Sequence, residues 1–197
     1  MTLWILLRAA GIGAYVALSL AVVWGLVSST GVITRRVSKP AGNHFHAVIG
    51  ATGLALLALH MILLVLHDYL PFGPLDVLIP LRGPYRPIAV GLGVLAMYAI
   101  VLIMTTSWIK KRLSNRVWRA IHLLAVPAFM LALLHGVLAG TDTQRPAMLL
   151  LYGASGTIVV FLILVRALTY GFRPPRPAPH ARASAIAERA SASAPRA

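Results

Sequence analysis

The sequence predicts an all-α integral membrane bundle of about five helices, and three observations lead there. Mean hydropathy is +0.83, and 59% of the 197 residues are hydrophobic against 11% charged; a water-soluble domain of this size needs more polar side chains to cover its surface. Five apolar runs, roughly residues 9–29, 47–67, 87–107, 117–139 and 147–168, each reach the length of about 20 residues that a helix needs to cross a hydrocarbon core of about 30 Å. Charge is also segregated: fourteen of the eighteen Lys and Arg fall in alternate connections or after the last run.

The first run lacks a basic leader and is followed by Arg35 and Arg36, a stop-transfer pattern, so it is expected to stay as a membrane helix. Lys39 completes that basic connection. After the second run comes HDYLPFGPLDVLIPLRGPYRP, too short and too proline-rich to span. Its Leu75, Val77, Leu78 and Ile79 are expected to form a short helix lying in the interface between Tyr69 and Tyr85, with a re-entrant hairpin as the alternative. Lys110, Lys111, Arg112, Arg116 and Arg119 precede or open the fourth run. Arg166, Arg173, Arg176, Arg182, Arg189 and Arg196 lie at or after the end of the fifth. Arg8, Arg82, Arg86 and Arg145 lie on the opposite side, with Asp68, Asp76 and Asp142.

The positive-inside rule then places the amino terminus outside and the carboxyl terminus in the cytoplasm. The net charge of +14 is thereby explained by membrane topology, and no nucleic-acid partner is expected. The stretch from Pro174 to Ala197 is Pro, Ala, Ser and Arg with little to bury, so residues 171–197 are expected to be a disordered basic tail that touches anionic lipid. The sequence has no cysteine, which excludes disulfides, iron–sulfur clusters and thiolate chemistry in this chain.

Histidines within apolar runs are costly and usually face the bundle interior with a partner. His46 and His60 lie in the second run, His122 and His135 in the fourth. With one run between them, the two helices point the same way. Separations of 14 and 13 residues become about 21 Å and about 20 Å at helical rise, so the histidines pair in depth: His46 with His122 near the cytoplasmic face, His60 with His135 toward the outer face. Imidazoles at two shared levels suit two stacked hemes, each iron needing an axial ligand from either side. The angles fit less simply. Fourteen residues return a side chain to within about 40° of its starting face, but thirteen leave it about 140° away, so the fourth helix is expected to be distorted, with Pro127 as the cause.

A free metal ion would need ligands converging at one level, and no carboxylate or thiol is spaced to help. Met61 and Met130 are expected to pack rather than ligate. His67 is an alternate outer ligand, a quinone contact or a hydrated interfacial residue; His44 is a near-surface alternate to His46. Arg119, one turn before His122, is placed to pair with a heme propionate, and Arg82 and Arg86 to do so for the outer heme. Glycines 91, 93 and 136 are expected to serve close helix approach, whereas Gly50 and Gly53, between the two histidine levels, are candidates for contact with the macrocycle.

These spacings, with the NRVWRAIHLL entry and the LHGVLAGTDT exit of the fourth run, resemble the ferric reductase-like transmembrane domain. That superfamily includes the membrane portions of ferric reductases and NADPH oxidases and the heme subunit of bacterial methionine sulfoxide reductase systems. The resemblance covers roughly residues 10–170 and implies heme b, with His46 opposite His122 and His60 opposite His135, in a transmembrane heme-binding domain of residues 1–170. Larger relatives have six spans and a cytoplasmic FAD and NADPH module; here five are counted and roughly 25 residues follow the last. Electrons are therefore expected from a separate flavoprotein or quinol, docking by the basic third connection, and are expected to leave to an outer acceptor or partner reductase. A bacterial inner membrane is the expected location. The alternatives are a heme-containing anchor subunit of a partner reductase and, in another class, a heme-free proton or ion transporter.

Overall fold

The structure is a computed structural model that describes residues 2–30, 37–67 and 71–171, the side chains of residues 30, 170 and 171 excepted. Arg35, Arg36, Asp68, Tyr69, Arg173 and the tail from Pro174, His180 included, lie outside the described residues, as does the expectation of disorder there. The chain divides into two units, Met1–Arg166 and Ala167–Ala197, and the site belongs to the first.

Six α-helices make up the described chain: α1 (Thr2–Thr30), α2 (Lys39–Leu66), α3 (Pro87–Trp108), α4 (Asn115–His122), α5 (Ala125–Ala139) and α6 (Pro146–Gly171), with a 3₁₀ turn at Lys110–Arg112. They supply five helical stretches long and apolar enough to cross a membrane, α4 and α5 together forming the fourth. The helix α1 packs along α2, and α3 along α5. Burial falls from 44% of the apolar window in α3 to 6% in α6, so α3 is the central helix, while α6 turns most of its surface outward. Val159 is the exception on α6, fully buried among Tyr15, Leu26 and Phe129.

In lipid, apolar area gives helices little reason to associate, and close approach between small residues does more. At Gly53 a Cβ would lie 2.8 Å from the Leu18 side chain and 3.3 Å from its backbone nitrogen, so α1 and α2 touch there because that carbon is missing. Polar side chains within the spans bond locally, as lipid requires. Ser19 Oγ donates to the Tyr15 carbonyl at 2.6 Å, Ser107 Oγ to that of Ile103 at 2.7 Å, and Tyr15 pairs with Ser155 at 2.6 Å.

Two differences from the sequence reading have physical causes. The first helix begins at Thr2 instead of near residue 9 because Arg8, a charge that lipid would reject, is ion-paired to Asp142 and does not end the span. The stretch at residues 71–86 contains no helix; it is a succession of turns. Asp76 Oδ2 accepts from the Gly73 N–H at 2.8 Å, and prolines 71, 74, 80 and 84 remove the donors that a helix needs. Phe72 and Val77 are inserted from this loop against Val90, Val94 and Met97 of α3, so it plugs one end of the bundle.

Leu81 within the plug has φ 68°, and its backbone nitrogen would lie 3.1 Å from a Cβ on Gly91. Gly91→Ala is therefore expected to push the plug off α3 and to cost about 1–3 kcal/mol. A thermal melt in detergent checks it, and an unchanged midpoint would show that the loop yields freely.

The distortion expected in the fourth span is present. The chain leaves α4 at His122, turns through Leu123 and Leu124, and re-enters as α5. Pro127 has no N–H to offer the Leu123 carbonyl, which accepts instead from Val126 at 3.3 Å; Leu124 likewise bonds to Ile121 at 3.0 Å. These i→i−3 bonds wind at about 120° per residue rather than about 100°, which rotates α5 in the direction that the 13-residue spacing lacked.

Candidate functional site

At the cytoplasmic-side level, taking the basic connections to mark that side, His46 lies in the second turn of α2 and His122 closes α4. Their ring centroids are 6.0 Å apart with planes at 65°. One turn before His122 on α4, Trp118 stacks on its ring at 4.9 Å and 25°, donates to Ser107 Oγ at 3.4 Å and carries the Lys110 ammonium 3.7 Å from its own centroid. His122 Nδ1 is buried without a hydrogen-bond partner, and His46 Nδ1 makes no hydrogen bond of ordinary geometry although the His46 ring lies near the Ala21 backbone.

At the other level the histidines are held differently. His60 Nδ1 is 3.1 Å from the Leu7 carbonyl of α1, and His135 Nδ1 is 2.8 Å from the Ala89 carbonyl of α3. A carbonyl only accepts, so in each ring Nδ1 carries the proton and Nε2 keeps its lone pair, the tautomer that a metal-ligating imidazole needs. Both rings lie against glycine: a Cβ would sit 2.8 Å from His60 Nδ1 at Gly11 and 2.7 Å from His135 Nδ1 at Gly93. His60 and His135 line one cavity, with Leu57, Met61, Met97 and Tyr152 among its walls. Its volume is about 230 Å³, and its lining is mostly apolar.

The residues fit a heme. The His46 and His122 rings, 6.0 Å apart, stand close enough that both could ligate one heme iron. His122 Nδ1, buried without a partner at one level, and a mostly apolar cavity between fixed imidazoles at the other are compatible with a group that the protein does not itself supply. Among the described residues no group of three or more His, Cys, Asp or Glu could hold a metal ion, so these histidines come as pairs.

The other residues singled out from sequence fall as follows. Gly50 faces Met104 Sδ, which a Cβ would meet at 3.4 Å, and Gly53 meets Leu18; neither lines the cavity. Arg119 is exposed on α4 in a shallow surface groove with Arg116. His44 is exposed in α2, and His67, at the end of α2, packs 5.4 Å from Trp4. Met61 lines the cavity, whereas Met130 packs by Tyr15 and Phe129. Arg82 pairs with Asp76 at 3.1 Å, and Arg86 donates to the Leu138 carbonyl; neither lines the cavity. Sequence reasoning missed Gly11, Trp118 and Arg8. Gly11 carried one signal, a small residue one helical turn after an arginine in an apolar run.

A family model described as the ferric reductase like transmembrane component matches residues 10–133. No curated protein and no solved structure matches the chain. The matched stretch takes in His46, His60 and His122 and ends two residues short of His135. It covers more than half of the sequence, taking in most of α1, all of α2 to α4 and most of α5, and on that extent the chain, a membrane electron-transfer component, belongs to the ferric reductase-like transmembrane family.

Proposed function

We propose that this chain is a transmembrane b-type cytochrome that carries electrons across the membrane through two bis-histidine hemes. His46 and His122 would ligate the inner heme, and His60 and His135 the outer. The observation that carries the reading is the meeting of four histidines in two pairs, one with rings 6.0 Å apart and one across a single cavity. Bound heme b supplies a one-electron redox couple at each level.

The protein's own part is to hold and insulate. The Leu7 and Ala89 carbonyls fix the tautomer and orientation of the outer imidazoles and raise their basicity as ligands. Gly11 and Gly93 leave space for those rings to lie against the helices. The turn at Leu123 and Leu124 lets His122 and His135 serve the same partner helix. The plug with Phe72 and Val77 keeps water from the outer end.

Lys110, Lys111, Arg112, Arg116 and Arg119 are exposed together on the inner side, an attractive surface for an acidic flavoprotein donor; quinol from the bilayer is the other source. Trp118 joins that surface to the site, with Lys110 on its ring and His122 stacked against it. The acceptor, ferric iron or a partner reductase, would be met on the outer side. The excess of cations in alternate connections supports an amino terminus outside, and the membrane proposed is a bacterial inner membrane.

The test is electron transfer through sealed vesicles. With heme-loaded protein in the membrane and ferricyanide trapped inside, external dithionite should bleach the ferricyanide at a rate that rises with the protein content. A rate equal to that of protein-free vesicles would sink the proposal.

A further inference from the structure

The outer cavity has apolar walls but a charged rim. Among the described residues, Arg8 and Asp142 are the only charged side chains that line it. Arg8 follows Leu7, whose carbonyl accepts from His60, so its place on α1 is in register with the outer histidine level. Its guanidinium is ion-paired with Asp142 Oδ2 and lies 5.9 Å from the centre of the Trp4 ring. Its Nε is nevertheless buried without a hydrogen-bond partner. The other oxygen of Asp142 is 2.9 Å from Arg145. One carboxylate thus serves two guanidiniums, and the cluster keeps a net positive charge.

An arginine with one unused N–H at the rim of an apolar cavity can give one more charge-assisted hydrogen bond to an anion, and a carboxylate is an anion that a guanidinium suits. The other arginines near this end are occupied. Arg82 is more than half exposed and paired with Asp76, and Arg86 donates to Leu138 and lies 5.3 Å from the Tyr85 ring.

We infer that Arg8, positioned by Asp142 and Trp4, is the carboxylate-binding residue of the outer cavity. The inference rests on the heme reading above. The carboxylate has two possible sources: a propionate of the heme between His60 and His135, or a carboxylate of the acceptor arriving at the cavity mouth.

The test compares wild type with Arg8→Gln, Arg8→Lys and Arg82→Gln, each heme-loaded. Redox titration is followed by reoxidation of the dithionite-reduced protein with ferric citrate and with uncharged 1,4-benzoquinone. If the propionate is the ligand, Arg8→Gln lowers the midpoint of the outer heme or releases that heme, because a positive charge that favoured the reduced state is gone. The inner heme spectrum stays as in wild type and reports an intact fold, and Arg8→Lys keeps most of the wild-type behaviour. If the acceptor supplies the carboxylate, the midpoints hold, but half-saturation by ferric citrate rises about tenfold, the loss of one charge-assisted bond, with benzoquinone unaffected. Either result supports the inference. Arg8→Gln indistinguishable from wild type in both assays, or the same change in Arg82→Gln, overturns it while leaving the two-heme reading intact. A wild type that takes up no heme overturns both.

Discussion

Gly93→Ala should strip the outer heme from the protein while leaving the inner one. The added carbon would stand 2.7 Å from His135 Nδ1 and 2.9 Å from Cε1 and Cγ, closer than non-bonded atoms tolerate, and the ring cannot retreat without breaking its 2.8 Å hydrogen bond to Ala89. Both residues that hold the ring belong to α3, so there is no compensating shift that moves one and spares the other. Losing such a supporting contact typically costs about 10–100-fold in metal-site affinity, and the displaced imidazole adds to that loss. The check is a pyridine hemochrome assay on the purified variant beside Gly153→Ala. At Gly153 an added Cβ would meet nothing within 4 Å, and the residue does not line the cavity, so that variant should retain the outer heme. Equal heme content in Gly93→Ala and wild type would mean that His135 does not ligate from the position described.

His122→Ala should stop electron flow across the vesicle membrane. His122 is the point where the inner level meets the surface, since it faces His46 at 6.0 Å and stacks on Trp118. Removing it takes away an axial ligand and the ring through which Trp118 touches the site. The ferricyanide rate should fall at least about 100-fold, the upper end of what loss of a mere supporting contact costs. The outer heme, held by residues of α1, α2, α3 and α5, should remain reducible by dithionite in detergent. A rate within about threefold of wild type would show that electrons bypass this level.

Much of this arrangement was legible in the sequence because the bilayer constrains it so strongly. Span number follows from apolar length, and depth from helical rise, which is why His46 and His122 could be paired before any coordinates. The break near Pro127 was legible for a similar reason: thirteen residues cannot return a side chain to its face in a regular helix, and proline supplies an identifiable interruption. What the sequence hid depends on partners far apart in the chain. Arg8 looked like the flank of a span, since nothing local reveals that Asp142, more than a hundred residues away, neutralises it. Gly53 is a candidate for macrocycle contact on sequence alone and meets Leu18 in the fold, because a glycine that admits Leu18 and one that admits an imidazole are the same letter. The plug differs from the expected interfacial helix because Leu75, Val77, Leu78 and Ile79 are apolar enough for one, whereas the neighbouring prolines and the Asp76 side chain impose turns.

The central claim, two hemes held between paired histidines, is tested most directly by the heme-to-polypeptide ratio of the detergent-purified protein, expressed with ample heme and measured alongside His135→Ala. The account predicts a ratio near two, falling to near one in the variant. A ratio near zero in wild type, or one that His135→Ala leaves at two, would contradict it.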